Sequence, residues 1–109
     1  MSICIEIDDV VKFNVKGTFT DRHGKDQPFS FSLTCNRVPP EVIDETMQQG
    51  AKFIDFFSQY TLDWSGVLDA ERKPIAYSVP ELEKLFKLPG VPLLAYRRYL
   101  EETGAKAKN

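Results

Sequence analysis

The sequence predicts an α+β fold, an N-terminal antiparallel β-hairpin or small sheet packed against a C-terminal set of about four short helices. Three observations predict it. Apolar residues alternate with period two through the first third of the chain. They recur at three- and four-residue spacing through the rest. Pro39-Pro40, tolerated only at a helix start, stands at the changeover.

In residues 10–20, Val11, Phe13, Val15 and Phe19 occupy one parity and Lys12, Asn14, Lys16, Thr18 and Thr20 the other. In residues 28–36, Phe29, Phe31, Leu33 and Cys35 face Ser30, Ser32, Thr34 and Asn36 in the same way. Such alternation, rich in β-branched and aromatic residues, marks two half-buried strands. The Asp21–Asp26 cluster between them reads as a turn, with Gly24 free to adopt positive φ. Both apolar sets are odd-numbered, so the expected register pairs Phe19 with Phe29, Val15 with Leu33 and Phe13 with Cys35. Gly17 then lies opposite Phe31, whose ring covers the bare glycine. Ile3, Ile5 and Ile7 share the odd parity, and either extend the first strand past Asp8-Asp9 or form a separate one. In the single-strand case Cys4 lies about 30 Å from the partner of Cys35, too far for a disulfide.

From Glu41 the pattern is helical, through Val42, Ile43 and Met47, with Gly50 ending the first helix or marking a bend. Phe53, Ile54, Phe57 and Tyr60 give a second helix running to about Leu62. A loop over 64–77 follows. Ser78-Val79-Pro80-Glu81 reads as a capping box, with Leu82, Leu85 and Phe86 as the apolar stripe behind it. Pro89-Gly90 stops that helix, and Val91-Pro92 starts a last one carrying Leu93, Leu94, Tyr96, Tyr99 and Leu100. The expected organisation is one domain over 1–104 and a disordered tail over 105–109.

The composition supports a folded chain. Of 109 residues 42% are apolar, including eight Phe, four Tyr and one Trp, enough large side chains for one modest core. The net charge is −2 with acids and bases interspersed, which argues against nucleic acid and anionic membranes as main partners. Lys106 and Lys108 read as a solvated terminus. No run approaches the ~20 apolar residues of a membrane span, and no basic region precedes an apolar stretch near Met1, so a cytoplasmic product is expected.

Groups for chemistry are sparse. His23, the single histidine, falls in a polar turn without a neighbouring Ser or Cys nucleophile. Asp8-Asp9, Asp44-Glu45 and Glu101-Glu102 read as turn and solvated helix faces. Cys4 and Cys35 have no zinc spacing. The expectation is a non-enzyme with no catalytic residue, metal or cofactor. The aromatics are in surplus. Phe53 and Phe57 are expected in the core, while Phe56 and either Tyr96 or Tyr99 are expected at the surface, where Tyr, Trp and Arg dominate binding hot spots. Trp64 is expected to plug the gap between sheet and helices, with direct partner contact as the other reading.

The turn Trp64-Ser65-Gly66-Val67, the acidic loop around Asp69 and Glu71, Pro74, the pair Tyr77-Ser78 and the Leu82/Leu85 helix ending at Pro89 are then specific enough to compare with a family. With the hairpin from Lys12-Phe13 through Phe29–Leu33, they make the chain resemble the small tail assembly chaperones of long-tailed phages and prophages. Arg72 departs from the pattern, which often has Gly in the acidic turn. The resemblance implies a non-catalytic protein of the bacterial host cytoplasm. It would bind and solubilise the tape measure protein before the tail tube polymerises, with the tail tube protein and self-association as further contacts. The residues it puts forward for partner binding are Trp64, Val67, Tyr77, Tyr96 and Tyr99. Two alternatives stand beside it: a structural tail or head component of the virion, and a small α+β ligand-binding domain. The inward rows of Val, Phe and Leu argue against the latter.

Overall fold

A computed structural model describes residues 2–105. The elements are β1 (Val10–Thr20), β2 (Asp26–Asn36), α1 (Pro40–Gln48), α2 (Phe53–Tyr60), β3 (Thr61–Ser65), α3 (Val79–Phe86) and α4 (Val91–Thr103). The three strands form one antiparallel sheet in the order β1-β2-β3, and with the four helices this is an α+β arrangement. The expected tail residues 106–109 lie outside the described residues.

Parity holds as expected. Phe13, Val15, Phe31, Leu33 and Cys35 are buried on the sheet face that receives the helices, while Lys12, Asn14 and Lys16 are exposed. The register does not. Phe13 lies opposite Leu33, Val15 opposite Phe31, Gly17 opposite Phe29 and Phe19 opposite Gln27, a two-residue shift from the expected pairing. The turn sets the difference. Asp21 N–H donates to Lys25 O and Gly24 N–H to Asp21 O, so the hairpin closes across Asp21 and Lys25, with Gly24 left-handed at φ 77°. That three-residue loop, a turn followed by a left-handed glycine, fixes the ladder. Phe29 rather than Phe31 covers Gly17; a Cβ at Gly17 would sit 2.6 Å from the Phe29 ring.

The first residues form neither of the expected strands. Arg37 N–H donates to Asp9 O, continuing the β1–β2 register by one bond, and Arg37 Nε donates to Asp8 O; no strand precedes Val10 among the described residues. Ile3, Ile5 and Ile7 are left exposed, Ile5 at 95%. Cys4 is exposed and Cys35 buried, both as free thiols.

β3 is a second departure, since residues 61–65 were expected as helix end and loop. Cys35 faces Thr61 and Thr34 faces Asp63, which leaves Leu62 as a bulged extra residue. The bulge puts Thr61 and Trp64 both on the core face despite their three-residue spacing. β3 covers only Ser32–Cys35 of β2, so residues 26–31 keep an open edge. Pro28 lies in that stretch, opposite Thr18. Pair alternation set by the Asp21–Lys25 closure turns even-numbered β2 backbone groups away from β1.

The helices close over the sheet through Tyr99. It is fully buried on α4, with its ring edge-on to Phe56 at 5.2 Å and near Phe13 and Phe57 at 6.0 Å. Its hydroxyl donates to Asn36 O at 2.9 Å and accepts from Val38 N–H at 3.0 Å, tying the last helix to the β2–α1 connection. Phe56, expected at the surface, is 1% exposed; α2 is wedged between sheet, α3 and α4 and buries adjacent residues Phe56 and Phe57. Ser78 Oγ caps α3 by accepting from Glu81 N–H, one half of the expected capping box; the Glu81 carboxylate pairs with Lys84.

Candidate functional site

α4 carries two apolar stripes. Val91, Ala95 and Tyr99 point into the core. Leu93, Tyr96 and Leu100, at i, i+3 and i+7, make a second line, with Leu93 and Leu100 each 42% exposed. Between Tyr96 and Leu100 of this line and α1 runs a groove of about 450 Å³, floored by Val38, Ile43 and Tyr96 and walled by Ile7 and Leu100. The Tyr96 ring is supported from beneath by Phe53 at 4.8 Å and Phe56 at 6.0 Å. Burial, and then the Asp44 carboxylate, push the Tyr96 phenol above its ordinary pKa. Arg37, on the groove wall, already donates Nε to Asp8 O and Nη1 to Thr103 O, so its polar capacity is largely spent on backbone.

A smaller groove, about 160 Å³, lies at the far end of the sheet among Phe29, Phe31, Val67, Leu68, Leu85 and Leu88. Gly66 makes it possible. At φ 85° the chain turns there, and a Cβ would stand 3.2 Å from Phe31 Cα and Ser30 O.

The five residues put forward for partner binding therefore occupy four places. Trp64 is 7% exposed; its Nε1–H donates to Ile75 O at 2.8 Å, and its ring meets Tyr77 edge-on at 5.2 Å. Trp64 and half-buried Tyr77 thus brace the 66–77 segment from inside. The Tyr77 hydroxyl is itself buried without a full hydrogen bond, and burial raises its pKa ahead of any effect of Cys35 or Thr61. Tyr99 belongs to the core. Val67 lines the small groove and Tyr96 the large one. Sequence reasoning missed Leu100 and Ile7 as wall residues. The signal was present in the i, i+3, i+7 line of α4, which cannot be buried together with the Val91, Ala95 and Tyr99 stripe.

Burial drives the Cys35 thiol up to about 11, with a weak opposing hydrogen bond from Thr61 at 3.5 Å. His23 is exposed in its turn. No group of three or more His, Cys, Asp or Glu among the described residues could hold a metal ion. No helix among them is long and apolar enough to cross a membrane. What the large groove offers is apolar surface beside a helix, suited to receiving another helix. No protein-family model, no curated protein and no solved structure matches the chain.

Proposed function

We propose that this chain is a non-catalytic tail assembly chaperone that binds and solubilises the tape measure protein of its phage or prophage before the tail tube polymerises. The observation that supports this reading best is the large groove between α1 and α4. It is floored by apolar side chains, and its rim residue Leu100 stays 42% exposed. A supported aromatic, Tyr96, lies at its centre, the arrangement in which hot-spot residues are found. The resemblance of the hairpin and of residues 64–89 to tail assembly chaperones supplies the class of partner. The host cytoplasm is the compartment this function requires.

Co-expression with the tape measure protein of the same phage or prophage tests the reading. The tape measure protein should become soluble and co-purify, and Tyr96→Ala should weaken the complex by about 2 kcal/mol while the fold is kept. Equal solubility of that protein with and without this chain, and no complex at moderate salt, would overturn it. Retention of this chain in finished particles would instead assign it to the virion.

A further inference from the structure

We propose that residues 2–6 form a strap that folds back over the large groove of their own chain and shields it until a partner displaces them. The proposal stands apart from the chaperone reading, since it concerns what covers the groove when no partner is bound. Alternation in this segment is strict. Ile3, Ile5 and Ile7 fall on one parity, and Ser2, Cys4, Glu6 and Asp8 on the other. An extended chain with that pattern has one apolar edge and one polar edge. No strand of the sheet receives the apolar edge, because β1 begins at Val10. Ile3 stands 87% exposed and Ile5 95%, so this structure holds the strap open. Isoleucines scattered singly over a surface need no partner, but three along one edge of one segment make a patch.

The groove is where that edge can go. Ile7 already forms part of its wall, with Arg37 and Thr103. The pivot is fixed. Arg37 donates Nε to Asp8 O and Nη1 to Thr103 O, which holds the root of the strap at the last residue of α4. From there the groove runs back along α4 to Tyr96. Thr103 to Tyr96 is seven helical residues, about 10 Å. Ile7 to Ile3 is four extended residues, about 13 Å. The strap is therefore long enough to run the length of the groove. Closed, it would rest Ile5 near Leu100 and Ile3 near Tyr96 and Ile43, with Cys4 and Glu6 facing solvent. Of the two charged residues that line the groove, Arg37 is spent on the pivot and Asp44 is exposed. Burying two isoleucines and ordering five residues oppose each other with similar size, so open and closed states are both populated. A partner then competes with the strap for one apolar floor.

Cys4 supplies the probe. It is exposed and lies on the polar edge, whereas Cys35 is buried, so a thiol-reactive nitroxide labels Cys4 alone. With the strap closed, the label stands over the far half of the groove. The amide NMR signals of Ile43, Asp44 and Tyr96 should then be broadened in the labelled protein. Ile3→Ser with Ile5→Ser should remove that broadening and leave the fold intact, since both side chains are exposed in the open state. The same double variant should bind Nile red, a neutral apolar dye, about two- to ten-fold more tightly, because a strap closed from half to nine-tenths of the time lowers apparent affinity by those factors. Leu100→Glu, placed on the groove wall, should cancel the gain. Absent broadening, broadening that persists in the double variant, equal dye binding by the two proteins, or a gain that survives Leu100→Glu would each overturn the proposal. A mixture of nitroxide-bearing chains with isotope-labelled, nitroxide-free chains gives the last arm. No broadening should pass between chains; if it does, the strap seats on a second copy and closure within one chain is discarded. None of these readouts involves the tape measure protein, so the strap and the chaperone reading can fail separately.

Discussion

The turn at Asp21–Lys25 and the turn at Asp69–Lys73 are one device built twice. In each, the first residue's N–H donates to the fifth residue's carbonyl, and the fourth residue's N–H returns to the first residue's carbonyl. In each, the aspartate Oδ1 accepts from the N–H groups of the third and fifth residues, His23 and Lys25 in one turn, Glu71 and Lys73 in the other. The fourth residue is left-handed both times, Gly24 at φ 77° and Arg72 at φ 64°. What surrounds the turns differs. The first closes a ladder running from Thr20↔Asp26 to Val10↔Asn36. The second closes only the Leu68↔Pro74 bridge and the Ile75 N–H to Val67 O bond. The aspartate sets the turn in both cases, and a long ladder is not needed for it. Where the ladder is short, the segment depends on side chains from elsewhere, here Trp64 and Tyr77.

Removing that outside support should have the largest effect. Trp64→Ala should cost about 3–5 kcal/mol, the range for truncating a buried large aromatic, read as a shift of the urea midpoint. The loss should fall on the β2–β3 seam first. Cys35 lies opposite Thr61 there, so its labelling by a thiol reagent should accelerate in the variant while exposed Cys4 reacts as before. An unchanged midpoint would show that the second turn stands without its brace.

The fourth position of each turn gives a smaller and opposite pair of effects. Gly24→Ala should destabilise by about 1 kcal/mol, and Arg72→Gly should stabilise by up to about 1 kcal/mol, because only glycine takes positive φ without steric cost. Equal signs in the two variants would mean that the turns are not equivalent. The smallest effect is on the pH profile. Hydrogen bonds from Lys25 and then His23 N–H hold the Asp21 carboxyl below the ordinary aspartate range. A depressed folded-state pKa contributes stability that is present above the unfolded value and lost as pH falls through the folded one. Asp21→Asn should therefore flatten the decline in stability below about pH 4. An identical decline in the variant would remove Asp21 from the acid response.

These turns also mark where the sequence was readable. Period-two alternation gave the two long strands and their buried face, because one face must be apolar. The register followed from the number of loop residues, and Asp21 with a left-handed Gly24 settles that number in a way parity cannot. β3 was hidden because its bulge places Thr61 and Trp64, three apart, on one face, a spacing that imitates a helix after Tyr60. Ile3, Ile5 and Ile7 alternate like a strand, yet β2 ends at Asn36 ahead of Pro39-Pro40 and offers them no ladder to join. The cap at Ser78 was legible because it is local. The site was legible in part. Tyr96 and Val67 do line grooves, but Trp64 and Tyr99 are internal, since large aromatics serve a core of this size before they serve a surface.

Pro28 carries a consequence for the fate of the protein at high concentration. It sits on the stretch of β2 that β3 leaves open, and it has no N–H to offer there. The other two edges are obstructed in their own ways. Arg98 Nε donates to Asn14 O on β1, and Asp63 Oδ1 accepts the Trp64 N–H on β3. An incoming strand thus meets a missing donor, an occupied acceptor or an occupied donor, whichever side it approaches. The sheet is a poor seed for cross-β stacking, so a crowded preparation should fail by amorphous clustering through its grooves rather than by fibre growth.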